Sequence, residues 1–202
     1  MTRDPATLIE EWFLTHNGDG EFYRPDSSTP YTVITPSKLN TQIVFCTKPA
    51  IVSRLFDGNS PSDVTGIIGR CGLPYVPDLR WVRRIAGGRR IVFLGDMDPV
   101  DLMIFAWLRI HLTHKRIAFL GIGDVLLKCM RLPLSSTNTI PLAPSEGRAV
   151  GHLAVVLPKF HHIIGPKCSR LIKGGYKVEV EALMGSGSRT GRALRRAIAR
   201  LG

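Results

Sequence analysis

Between residues 41 and 131 the chain repeats one pattern four times. A short, unbroken apolar run is followed by a segment with apolar residues at helical spacing. The runs are Ile43–Cys46, Asp63–Gly69, Arg90–Gly95 and Arg116–Ile122. The helical segments are Pro49–Phe56, Pro77–Ala86, Pro99–Leu112 and Asp124–Arg131, and the first three open on proline, which suits the first helical position. Strands without polar alternation need cover on both faces. Alternation with helices supplies that cover and leaves parallel pairing as the natural connection. The expected fold is α/β: a mainly parallel sheet with helices on both faces.

The flanks are less regular. Residues 1–15 suit a short helix with Ile9, Trp12 and Phe13 on one face, and residues 16–40 read as loop with one short strand at Tyr31–Thr35. Beyond residue 131, Pro133–Pro144 reads as loop, His152–Leu157 as a strand or buried segment, and Gly175–Met184 as either strand or helix. The expected organisation is a leader over 1–40, a body over 41–184, and a Gly/Ser linker with a basic amphipathic helix over 185–202.

Charge narrows the partners. The chain carries 27 Lys and Arg against 16 Asp and Glu, for a net charge of +11 over 202 residues. Residues 1–40 are mildly acidic, so the excess sits in the body and tail. Such a balance suits a polyanion, most simply nucleic acid; a solvated basic surface is the plainer alternative. The N-terminus lacks a secretory pattern, and no apolar stretch is long enough to span a membrane. Cys46, Cys71, Cys129 and Cys168 are scattered with no C-x-x-C pair, as expected of structural thiols in a reducing cytoplasm. His111 with His114, and the pair His161-His162, lack partners at zinc spacing, and Trp12, Trp81 and Trp107 fit helix faces turned to the core.

The strongest chemical signal is Gly95-Asp96-Met97-Asp98-Pro99-Val100-Asp101. Asp96 and Asp98 follow a buried strand and precede a helix. Residues i and i+2 of an extended segment point to one side, so the two carboxylates converge at the carboxyl end of a strand. Hard oxygen donors there suit Mg²⁺ or Mn²⁺. The alternative is structural: Asp98 as helix N-cap and Asp96 as a loop residue.

FLGDMDPVDLMIF resembles the D-x-D-P motif of the Toprim domain, a Rossmann-like fold, as found in the A subunit of type IIB DNA topoisomerases (topoisomerase VI) and the related meiotic double-strand-break protein. IVFCTKPAIVSRLF is similar to that family's first strand and helix. Residues 72–80 (GLPYVPDLR) resemble its Gly-Tyr-Pro-Asp segment, IAFLGIG its strand after the D-x-D helix, and GYKVEVEAL its C-terminal Lys-Ala-Glu-x-Glu-Ala-Leu segment. The likeness runs in order from about residue 41 to 184. It implies a stand-alone Toprim protein that processes DNA, with Asp96 and Asp98 as catalytic and metal-binding residues and Mg²⁺ or Mn²⁺ as cofactor.

Two departures qualify what the resemblance implies. Where the family has a metal-binding glutamate, this chain has Thr47, which weakens ion binding by removing one charge. Asp101, where the family often has glycine, is the candidate replacement; its other role would be to favour the helix dipole. The tyrosine-bearing winged-helix domain of the family has no counterpart in the forty residues before the resemblance, and neither Tyr23 nor Tyr31 sits in a recognisable winged-helix context. A catalytic tyrosine, or an ATPase, would come from a partner subunit; a homodimer is the family's analogy. No membrane partner is expected.

The candidate DNA contacts are Lys48 beside the site, Arg80, Arg83 and Arg84 on the second helix of the pattern, and Arg192, Arg195, Arg196 and Arg200 on one face of the tail helix. Three functions follow: an isomerase-like cleavage and transfer of DNA phosphodiesters, a catalytically degenerate module that binds DNA or a partner subunit without turnover, and a metal-dependent nuclease using water.

Overall fold

The computed structural model describes residues 3–16, 30–35, 41–56, 66–112, 117–186 and 189–200. Tyr23, His114, Leu201 and the start of the expected strand at 63–65 lie outside them. In chain order the elements are α1 (Pro5–His16), β1 (Thr32–Ile34), β2 (Gln42–Cys46), α2 (Pro49–Leu55), β3 (Gly66–Gly69), α3 (Leu79–Ala86), β4 (Arg90–Leu94) and α4 (Pro99–His111). After these come β5 (Ile117–Phe119), α5 (Asp124–Met130), β6 (Ile140–Pro141), α6 (Pro144–Val156), α7 (Phe160–Ile164), α8 (Pro166–Lys173), β7 (Tyr176–Lys177) and α9 (Arg189–Arg200).

The main sheet has the order β1-β3-β2-β4-β5, with β1 antiparallel and the other four parallel. The four apolar runs are these parallel strands. Their core is continuous: Phe93 of β4 stacks between Phe45 of β2 and Phe119 of β5. Phe45 and Phe93, taken fully out of water, contribute about 1.5–3 kcal/mol each, and the half-buried Phe119 less.

Topology decides which helices share a face. The step from β2 to β3 moves one way across the sheet; the steps from β3 to β4 and β4 to β5 move the other way. Right-handed crossovers therefore put α2 on one face and α3 and α4 on the opposite one. Contacts agree. Arg83 of α3 donates to the carbonyl of His111 at the end of α4, and α1 and α6 pack on α4. On the other face α9 lies between α2 and α5. A Cβ on Gly191 would sit 2.7 Å from the Leu55 carbonyl of α2, and Arg200 donates to Cys129 Sγ of α5.

Three sequence readings change. The helix expected at Pro77 begins two residues later, at Leu79, after a 3-10 turn over Val76–Asp78. His152–Leu157, expected as a strand or buried segment, is the end of α6. That helix opens with Pro144 at its first position, and the Glu146 carboxylate accepts from the Ala143 N–H. These start signals outrank the β-branched run that follows. Gly175–Met184 divides into a two-residue strand, a bridge from Val178 to Met97, and a 3-10 stretch over Val180–Ser186. Helices α7 and α8 carry no expectation from the sequence.

Candidate metal centre

Asp96 follows β4 and Asp98 caps α4, so both stand at the carboxyl end of the central parallel strands. Asp98 has extended backbone, and its Oδ1 accepts the Asp101 N–H at 2.7 Å. Capping and convergence are thus combined in one residue. Asp101 sits in the first turn of α4, but its carboxylate turns back toward the strand. Its Oδ2 accepts the Asp96 N–H and the Thr47 hydroxyl, each at 2.6 Å. Gly95 leaves room for this turn, because a Cβ there would collide with Asp101 Oδ2. The result is three buried carboxylates whose oxygens lie within 4.8 Å of one another.

They line one wall of a cleft of about 350 Å³. Phe13, Val100 and Ile104 supply apolar lining, and Cys71 and Gly72 also line it. Glu146, Lys177 and Glu179 bring further charge. Lys177 Nζ contacts Glu146 at 2.7 Å and Glu179 at 2.9 Å. Among the described lining residues there is no tyrosine, serine or histidine. Tyr31 is elsewhere, packed on Trp81 and under Arg70, and burial pushes its phenol up to about 12. Burial, and then Asp101, raise the Cys71 thiol, which keeps it protonated.

The electrostatics follow from crowding. Burial, then the charges of Asp101 and Asp96, hold Asp98 well above the usual carboxylate range. Burial, then Asp96, push Asp101 up to about 7, although the Thr47 and Asp96 hydrogen bonds pull the other way. Asp96 is also raised by burial, with Lys48 opposing. Three carboxylates at this spacing outnumber the one ammonium that touches them, Lys48 at Asp96. The donor set is all oxygen, with no sulfur or nitrogen, and so fits a hard divalent cation such as Mg²⁺ or Mn²⁺. Thr47 takes part as a donor to Asp101.

The expected basic contacts divide. Lys48 Nζ lies 2.8 Å from Asp96 Oδ2, 2.8 Å from Glu181 Oε2 and 3.6 Å from Glu179 Oε2, so it is committed to carboxylates. Arg80, Arg83 and Arg84 lie on α3, across the sheet from α9. On α9, Arg192, Arg196 and Arg200 are exposed and Arg195 half-buried, while Leu194, Ala197 and Ile198 face the core. That helix packs with α2 and α5, and α8 adjoins α5; together α2, α5, α8 and α9 hold ten Lys and Arg and one acid, Asp124. Asp124 is itself occupied, accepting the Lys167 and Cys168 N–H groups that open α8. Helices α1, α3, α4 and α6 hold five bases and four acids.

Sequence reasoning missed Glu146 and Lys177 as cleft residues. The nearest signal for Glu146 is its place three residues into a proline-opened helix. Glu179 and Glu181 pair with lysines: Lys177 and Lys48 with Glu179, and Lys48 with Glu181. Of the four cysteines, all free, Cys46 and Cys168 are buried and Cys71 and Cys129 partly so. No helix among the described residues is long and apolar enough to cross a membrane.

No protein-family model matches the chain, and no curated protein matches it.

Proposed function

We propose that this chain is a nucleic-acid-processing protein of Toprim type that holds Mg²⁺ or Mn²⁺ on Asp96, Asp98 and Asp101 and acts on DNA phosphodiesters. The observation that carries this reading is the convergence of three buried carboxylates at the carboxyl end of β4. Bound there, the ion would supply charge stabilisation to a phosphoryl oxygen. Asp101 stands in for the family glutamate: Thr47 is short enough to leave the space, and its hydroxyl orients the carboxylate that enters it. The basic group of α2, α5, α8 and α9 is the surface on which phosphates would be held. Four free thiols suit a reducing compartment such as the cytoplasm.

A second reading rests on a separate observation. The described cleft lining offers no tyrosine. Transfer through a covalent tyrosine needs that residue from a partner subunit or a second copy of this chain. Without it, the protein is a module that binds DNA or a partner subunit without turnover, or a nuclease that uses water.

Supercoiled plasmid separates these outcomes. Purified chain is incubated with Mg²⁺ or Mn²⁺, and with EDTA, alongside Asp96→Asn/Asp98→Asn. Nicking or relaxation that needs the metal and the aspartates supports phosphodiester chemistry by the isolated chain. A salt-sensitive mobility shift with intact plasmid, equal in the double variant, leaves the binding module. The absence of both cleavage and shift overturns the nucleic-acid reading.

A further inference from the structure

Lys48 ends the turn between β2 and α2 in a non-helical conformation, with φ −120° and ψ 70°. Its ammonium has three N–H donors and meets three carboxylates. One is Asp96, whose Oδ2 it contacts at 2.8 Å. The other two are Glu179 and Glu181 on the segment that passes over the cleft. Asp96 is nearly buried, while Glu181 is 42% exposed on its side chain. The Asp96 carboxylate is therefore satisfied at both oxygens, because Oδ1 accepts the Val180 N–H at 2.7 Å. A divalent ion that draws on Asp96 Oδ2 meets an ammonium already there.

We propose that Lys48 is a resident cation that a divalent ion displaces: its ammonium holds Asp96 in the metal-free protein and retreats onto Glu179 and Glu181 when the ion arrives. This rests on the metal reading above. The retreat keeps two carboxylate partners, so the ammonium is never left buried and unpaired, which would be the costly outcome. The exchange also ties ion loading to the segment after β7. Val180, which donates to Asp96, starts a 3-10 stretch, and within it the Leu183 carbonyl accepts the Thr190 hydroxyl at the start of α9. Ion occupancy is in this way linked to the helix that carries the exposed arginines.

The test is Mn²⁺ binding by the full chain, read as loss of the free-ion EPR signal, with Asp98→Asn as the site control. Lys48→Met is expected to bind Mn²⁺ roughly tenfold more tightly than wild type, the order that a unit charge a few ångströms from a divalent ion exerts through a water-like dielectric. Glu181→Gln is expected to weaken binding several-fold, and to do so less in the Lys48→Met background, where there is no ammonium to rehouse. Should Lys48→Met fail to fold by circular dichroism, Lys48→Arg decides. A guanidinium can grip Asp96 through two bonds, so Mn²⁺ should bind several-fold more weakly; equal or tighter binding overturns the proposal. Equal affinities in wild type and Lys48→Met also overturn it and leave the metal reading standing. No Mn²⁺ bound by any variant, or binding indifferent to Asp98→Asn, overturns both.

Discussion

The Thr47 hydroxyl donates to Asp101 Oδ2 at 2.6 Å, joining the end of β2 to the first turn of α4 across 54 residues of sequence. The bond is buried, and the acceptor is one of the three clustered carboxylates. Thr47→Val keeps the shape and removes the donor. Asp101 Oδ2 retains the Asp96 N–H, so the loss should be about 1–2 kcal/mol of unfolding free energy. Urea denaturation in EDTA measures it; a change within error would mean the hydroxyl does not restrain Asp101.

The same pair allows an exchange of roles. Thr47→Glu alone puts a fourth carboxylate beside three and should destabilise the metal-free chain. Thr47→Glu/Asp101→Gly moves the third carboxylate from helix to strand, the arrangement that the Toprim resemblance implies. The double variant should bind Mn²⁺ within a few-fold of wild type, whereas Asp101→Gly alone should bind more than tenfold more weakly. Calorimetric titration reads both. A double variant no better than Asp101→Gly would show that the two positions are not equivalent.

The raised carboxylates set a pH dependence for the metal-free protein. Asp101 goes from an ordinary value of 3.8 to about 7, and Asp98 is higher than usual for the same reason, burial first and neighbouring charge second. The folded state thus binds more protons than the unfolded one between about pH 4 and 7. Stability is greatest below that window and is lost as pH rises through it. Glu179 and Asp124 are shifted down and act in the opposite sense, but at lower pH, where they lose their contribution on acidification. Urea midpoints in EDTA should therefore fall from pH 5 to pH 7.5, and saturating Mg²⁺ should remove most of the fall. Asp98→Asn should flatten the slope. A midpoint that rises over this range would contradict the crowding of the three aspartates.

Gly95 makes a steric test of the site. Its missing Cβ is where Asp101 Oδ2 and the Phe93 ring approach the backbone. Gly95→Ala must push one of them aside, and the ring is held between Phe45 and Phe119. The carboxylate should yield, with a stability loss of about 1–3 kcal/mol and weaker Mn²⁺ binding. Thermal melts and Mn²⁺ titration on the same sample check this. Unchanged metal affinity would mean Asp101 is not a ligand.

What is legible in the sequence follows from range. The strand Arg90–Leu94, the cap at Asp98 and the proline at 99 act within a dozen residues, and their pattern is local. The i, i+2 spacing of Asp96 and Asp98 is enough to bring them to one side. Asp101 is readable only as a helix-turn acid or a substitute ligand, because its backward turn depends on Gly95 and on a hydroxyl 54 residues away. The partners of Lys48 are less accessible still: Glu181 is 133 residues distant, and only the close of the fold over the cleft brings them together. In α6, a run of branched apolar residues imitates a strand because the start signals at Pro144 and Glu146 stand well upstream of it.

Under the nucleic-acid reading proposed above, the arginines of α9 rather than those of α3 would meet phosphate. The sequence holds two clusters, and the fold puts them on opposite faces of the sheet. On α9, Arg192, Arg196 and Arg200 recur every four residues along one exposed stripe about 12 Å long, in a group of four helices whose single acid is already occupied. On α3, Arg83 is engaged by the His111 carbonyl, and the helices sharing that face are almost balanced in charge. Arg192→Gln/Arg196→Gln should lower affinity for duplex DNA about uniformly across sequences. It should also reduce the slope of log affinity against log salt by about 2, one for each phosphate no longer neutralised. Arg80→Gln/Arg84→Gln should change the slope by less than about 1. Fluorescence anisotropy over a range of salt concentrations measures both, and a larger effect from the α3 pair would move the phosphate track to the other face of the sheet.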